Sequence, residues 1–193
     1  MARLAPNGDD AASDPADLRA AAAGDRRAAA RLYDRYGPMI YRIGLSMLRA
    51  PAPAEDLVQD TFLRLWRKID GLVADQVPVR AWLIRVASNR CVDMLRKHGE
   101  VSDDGIAEPA DRAAGPHENL AGAQLGHEID KAMARLTEGQ QLAITLTAKL
   151  GFSTREAAAA MGMGERAVES LVARAKRALR KTLAAVADDY IER

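Results

Sequence analysis

Between Thr154 and Leu171, small, glycine and apolar residues fall at intervals that suit a pair of short crossing helices. Counting Thr154 as the first position, Ala158 is the fifth, Gly162 the ninth, Val168 the fifteenth and Leu171 the eighteenth. A small residue lets the helices approach, a glycine accepts the positive φ of a tight turn, and the valine and leucine face inward. A unit of this shape offers its second helix to the DNA major groove. An ordinary helical hairpin would share part of the pattern, so the residues beyond the turn matter. Val168, Leu171, Val172, Ala175, Leu179, Leu183 and Val186 form one apolar stripe at helical spacing. Arg166, Arg174, Lys176, Arg177, Arg180 and Lys181 lie mostly off that stripe, with Glu169 the one acid among them. Such a face suits phosphate contact, although a solvated lysine and arginine face would look alike.

Two further groups of polar residues stand upstream. Arg85, Asn89 and Asp93 repeat every four residues and so share one helix face. Asparagine can pair with a base edge and arginine with guanine or phosphate. Asp93 either accepts from a base or pairs with Arg90 or Lys97. Arg90, Arg96 and Lys97 suit phosphate contact, or serve as cations that complement a helix C-terminus. Earlier still, Asp56, Gln59, Asp60 and Arg64 lie outside the apolar stripe Leu57, Val58, Phe62, Leu65 and Ile69. They give an acidic, hydrogen-bonding surface beside the aromatic residues Phe62 and Trp66, which serve either contact or packing. The three histidines and the single cysteine, Cys91, lack metal-ligand spacing, and no nucleophile–base pair or phosphate-cradling glycine loop is visible. The expectation is a non-enzymatic chain with no metal and no cofactor.

The elements that would carry these residues are helical. Alanine, leucine and arginine dominate the 193 residues, aromatics are 4%, and no alternating β-branched runs occur. This predicts an all-α fold. Net charge is +1 from 28 basic and 27 acidic residues, which excludes a globally basic nucleic-acid coat. Basic charge is local, in Arg80–Lys97 and in the last helix, and acids gather between them. Residues 1–14 read as a disordered tail. Helices are expected over Asp17–Ala23, from Asp25 through Tyr36, over Met39–Leu48, Ala54–Ile69 and Val79–Arg96. Gly37-Pro38 should punctuate the second, Ala50–Pro53 should be a loop, and Asp70-Gly71 should end the fourth. An acidic linker over 98–118 comes next, then helices Asn119–Leu136, Glu138–Lys149, Ser153–Met161 and Glu165–Val186. Thr137 is a plausible N-cap, and Ser153 with Glu156 a capping box. The resulting domains are 15–97 and 119–193. Their tether averages about 25 Å and stretches to about 70 Å. Neither a signal peptide nor a long apolar run is present, which makes the cytoplasm the expected compartment.

In that order the motifs resemble one family. The run Ala54-Glu55-Asp56-Leu57-Val58-Gln59-Asp60-Thr61-Phe62-Leu63-Arg64-Leu65-Trp66 is similar to the polymerase-binding helix of extracytoplasmic-function sigma factors. Arg80-Ala81-Trp82-Leu83-Ile84-Arg85-Val86-Ala87-Ser88-Asn89-Arg90-Cys91-Val92-Asp93-Met94-Leu95-Arg96 resembles the helix that melts and reads the −10 element. The helix-turn-helix resembles the region that reads the −35 element. The resemblance covers residues 17 to 185. It implies that Asp56, Gln59, Asp60, Phe62 and Trp66 meet core RNA polymerase, at the β′ clamp helices, with the β flap as a second contact. It assigns Arg85, Asn89, Arg90, Asp93, Arg96 and Lys97 to −10 DNA. Arg166, Glu169, Ser170, Arg174, Lys176 and Arg177 fall to −35 DNA, and an anti-sigma protein is the implied regulator. Glu169 and Leu171 depart from the family, whose members often carry a basic residue there. Glu169 either accepts from a cytosine N4 or tempers non-specific attraction to phosphate. The different-class alternative is a stand-alone helix-turn-helix regulator.

Overall fold

A computed structural model describes the backbone of residues 13–101 and 120–191 and the side chains of 13–97, 126 and 128–184. Of the expected tail over 1–14, residues 1–12 lie outside the described residues, whereas Asp14 begins the first helix; most of the linker, His117 and the side chains of His98, His127 and Val186 also lie outside them. Every described element is helical. In chain order these are α1 (Asp14–Ala22), α2 (Arg26–Leu48), α3 (Pro51–Ala74) and α4 (Val79–Val101). The second half adds α5 (Leu120–Ala134), α6 (Glu138–Ile144), α7 (Thr154–Met161) and α8 (Glu165–Ile191). None is long and apolar enough to cross a membrane, among the described residues.

Three expected breaks are absent. Helix α2 runs unbroken through Gly37-Pro38. Proline in a helix interior costs about 3 kcal/mol, but Leu32, Tyr36, Met39, Ile40, Ile43 and Met47 are buried on both sides of it. Packing of that continuous stripe outweighs one lost hydrogen bond. The prolines expected in a loop instead open α3, with Pro51 at its first position and Ala50 as an extended N-cap. Their missing N–H groups are among those that a helix start leaves without partners anyway. Helix α3 also passes Asp70-Gly71 to reach Ala74, because Leu72 extends the buried stripe of Leu57, Val58, Phe62, Leu65 and Ile69 by one turn. Helix α4 continues beyond Arg96, where no proline stops it.

The expected helix over Glu138–Lys149 is two pieces: α6, then a π-helical turn over Thr145–Lys149. Both of its flanking N-caps form. Thr137 with Gln140, and Ser153 with Glu156, make reciprocal capping boxes. The α1–α2 pair is held by charge. Arg35 donates to Asp14 at 2.6 Å and Asp17 at 2.9 Å, Arg31 donates to Asp17, and the buried Tyr36 hydroxyl donates to Asp14.

Candidate nucleic-acid and partner surfaces

On α3 the apolar stripe turns inward, which leaves Asp56 and Gln59 exposed. Asp60 is different. Its Oδ2 lies 2.8 Å from Arg90 Nε on α4 and 3.3 Å from Arg64 Nε one turn along. The carboxylate that sequence offers to a partner is therefore already shared by two guanidinium groups. Phe62 is a correction as well: it is 3% exposed and cannot present its ring to another protein. It sits between Tyr33, 4.8 Å away between centroids, and Trp66, 5.8 Å away. Trp66 is half-buried against the core. The large apolar side chains that α3 and α2 do expose are Leu63, Tyr33 and Leu45. Tyr33, Gly37 and Tyr41 on α2 face Val58 and Gln59 on α3 across an open groove of about 610 Å³. Their four-residue spacing is the sequence signal for this groove, and a helix break at Gly37-Pro38 would hide it.

On α4, Arg85, Asn89 and Asp93 form one exposed strip, with Arg96 and Lys97 exposed beyond it. Arg90 is not on that strip. It turns back to Asp60 and not toward Asp93. Arg96 pairs with Glu138 at 2.8 Å. Trp82 packs against the core.

The second half holds a helix-turn-helix. Gly162 ends α7 with φ of +65°, and its N–H reaches the Ala158 carbonyl. Ala158 is buried at the crossing, Val168 and Ala175 are fully buried, and Leu171, Val172 and Leu179 are half-buried. With about 100° between successive residues, the buried positions fill one side of α8. Arg166, Glu169, Ser170, Arg174, Lys176 and Arg177 fill the opposite side, and all six are exposed. Arg174 Nε donates to the Ser170 carbonyl at 3.3 Å, so its guanidinium is drawn along the helix.

The two halves touch. Arg80 on α4 pairs with Glu156 on α7, and its guanidinium carbon lies 5.2 Å from the Phe152 ring centroid. Burial works against the charge of Glu156, but hydrogen bonds from Arg80 and Ser153 outweigh it and hold the carboxyl below its usual range. Arg49 donates to the Asp130 carbonyl of α5. Among the described residues no group of histidine, cysteine and carboxylates could hold a metal.

Residues 32–101 match sigma-70 region 2, and residues 126–179 match sigma-70 region 4. The chain is 33% identical over 174 residues to the RNA polymerase sigma factor NccH of Alcaligenes xylosoxydans, covering 86% of this chain and 92% of NccH. It is 30% identical over 173 residues to the sigma factor SigL of Mycobacterium tuberculosis, covering 87% of this chain and 96% of SigL. A solved structure of CnrH with the cytosolic domain of CnrY is similar at a TM-score of 0.68, with 29% identity over 90% of this chain and 98% of that one. With both regions matched in order and relatives at 30% and 33% identity over nearly their whole length, this chain belongs to the extracytoplasmic-function RNA polymerase sigma factors of the sigma-70 family.

Proposed function

We propose that the chain divides promoter recognition between two modules, with bounds near 15–97 and 119–193. In this division α3 binds core polymerase at the β′ clamp helices, and α4 reads and opens the −10 element. Helix α8 reads the −35 element, beside a contact to the β flap. The observation that carries this is the exposed side of α8, whose six cations stand opposite a buried arc directly after a glycine turn. Asn89 and Arg85 are the base and phosphate contacts on α4, with Asp93, Arg96 and Lys97 beside them. Arg90 acts there as a support that orients Asp60. Glu169 reads a cytosine. Polymerase supplies the chemistry, so the chain catalyses nothing itself, and it works in the cytoplasm.

CnrH is solved with the cytosolic domain of CnrY, and the sigma factor RpoE of Bartonella quintana with the anti-sigma factor NepR. RpoE is similar to this chain at a TM-score of 0.57 and 29% identity, over 76% of this chain and 91% of that one. An anti-sigma protein is accordingly the regulator we assign. Run-off transcription with core polymerase on a randomised promoter library tests the whole reading: two enriched elements support it. Tight DNA binding without core, and no transcription with it, would instead identify a stand-alone regulator. On the polymerase surface, Asp56→Arg should weaken core binding about tenfold at unchanged melting temperature, since Asp56 is exposed. Unchanged affinity in a pull-down titration would remove α3 from the interface.

A further inference from the structure

We propose that the corner between α1 and α2 is a further nucleic-acid surface, on which Arg26 and Arg27 hold phosphates of the single strand leaving the opened −10 element. The inference deepens the reading that α4 opens that element, and rests on it.

Gly24, at φ of +92°, turns the chain between the two helices. Arg26 and Arg27 follow as the first two residues of α2, and Arg19 stands in the last turn of α1; all three are exposed. A helix N-terminus is where a cation is least welcome, because the unpaired N–H groups there already carry partial positive charge. The first turn of α2 holds no acid to offset them. Asp25, which precedes it, spends its carboxylate on the backbone N–H groups of Arg27 and Ala28, at 2.8 Å and 3.3 Å. Asp14 and Asp17 are engaged by Arg35 and Arg31. Among the described residues neither Arg26 nor Arg27 has an ion pair or a side-chain hydrogen bond. Two guanidinium groups thus sit at the unfavourable end of a helix with no partner in the chain. A local rule broken without a compensating contact points to function. The missing partner is an anion, and the planar guanidinium fork fits phosphate.

Placement favours a nucleic-acid strand. Short turns join α2 to α3 and α3 to α4, so α2 and α4 run parallel. Tyr36 on α2 feels the charge of Arg80 in the first turn of α4, which sets the two helices level there. Arg26 lies about 15 Å before that level and Asn89 about 14 Å past it, at ~1.5 Å per residue. A strand that leaves Asn89 toward the start of α4 reaches the corner after about eight nucleotides, at ~3.4 Å each. The template strand enters the polymerase active site, so the strand free to follow the sigma factor is the non-template one. An acidic protein segment would suit the same cations, but no track of contacts leads to it.

Holoenzyme binding to two fork-junction promoters tests the proposal. In one, the single-stranded non-template tail ends at the −10 element; in the other it runs about twelve nucleotides further, past the calculated reach. Arg26→Gln with Arg27→Gln should bind the short fork like the parent and the long fork about tenfold more weakly. On the long fork its slope of log affinity against log salt should fall by about 1.4, the share of two single-strand phosphates. The same variant should melt a few degrees higher, since the helix start loses two misplaced cations. A merely structural role would lower the melting temperature and act on both forks alike. Arg26→Lys with Arg27→Lys, which keeps both charges, should retain most of the affinity and slope. If the glutamine variant lacks native helicity, Arg27→Glu alone, favourable at a helix start, decides by the same comparison. Equal affinity of parent and folded variant for the long fork overturns the proposal. A loss shared by both forks overturns it too, as does weaker assembly with core polymerase without DNA, which would identify an acidic protein partner. Asn89→Ala on the short fork checks the underlying reading. Unchanged affinity there removes α4 from the −10 element, whereas a tail-dependent loss in the glutamine variant still supports the corner.

Discussion

Asp17 shows how much one carboxylate can hold. Its side chain is 7% exposed and accepts from Arg31 and Arg35. The hydrogen bond from Arg31 lowers its pKa most, burial opposes, Arg35 adds to the lowering, and the net result lies below the ordinary 3.8. A folded-state pKa below the unfolded one means stability that is complete above 3.8 and lost as pH falls through the folded value. Asp17→Asn should therefore cost about 2 kcal/mol near neutrality and flatten the acid limb of a melting-temperature profile. A profile that keeps the parent's acid slope would dismiss the network. Sequence does not show these partners. Asp14 and Asp17 read there as the edge of a disordered tail and a helix start, whereas the arginines that make them valuable lie on the next helix. The same holds for Asp60 and Arg90: both are legible as polar and outward-leaning, but thirty residues separate them, and only the packing of α3 on α4 brings them together.

Among elements, the legible part is whatever local stereochemistry decides alone. The α3 stripe, the Ser153 cap and the left-handed Gly162 follow from periodicity and backbone sterics, and all three form. Breaks assigned to proline fail, because proline is tolerated at a helix start and can be outweighed by tertiary packing inside one. The crossing of α2 and α3 is illegible too, unlike the one at Ala158. A Cβ on Gly44 would lie 3.0 Å from the Ala54 Cα and 3.0 Å from Leu57 Cδ2, so α2 and α3 meet where only hydrogen fits. Backbone cannot retreat as a side-chain tip can. Gly44→Ala should lose about 1–3 kcal/mol despite the better helix propensity of alanine. Gly71→Ala, with open space around it in α3, should gain up to about 1 kcal/mol. Urea denaturation of both variants separates the effects; equal shifts would refute the close crossing.

For the whole molecule, the proposed function has two surfaces acting at different moments. Asn89→Ala should leave initial promoter binding near the parent level and impair strand opening, read by permanganate reactivity. Arg174→Ala should weaken the initial complex about tenfold, within the 1–3 kcal/mol of a good base contact, and leave opening of the complexes that do form unchanged. Normal permanganate reactivity in Asn89→Ala would withdraw its base contact. The buried core that unites the halves has one more consequence, for oxidative chemistry. Cys91 is 0% exposed, and burial pushes its thiol up to about 12. At pH 8 only about one thiol in ten thousand is then ionised, and the thiolate is the reactive form. Disulfide reagents should leave the thiol of the native chain untouched over hours, then modify it stoichiometrically once the chain unfolds. A thiol trap thus times how often the core comes apart, and Cys91 in the native chain is no sensor of oxidants.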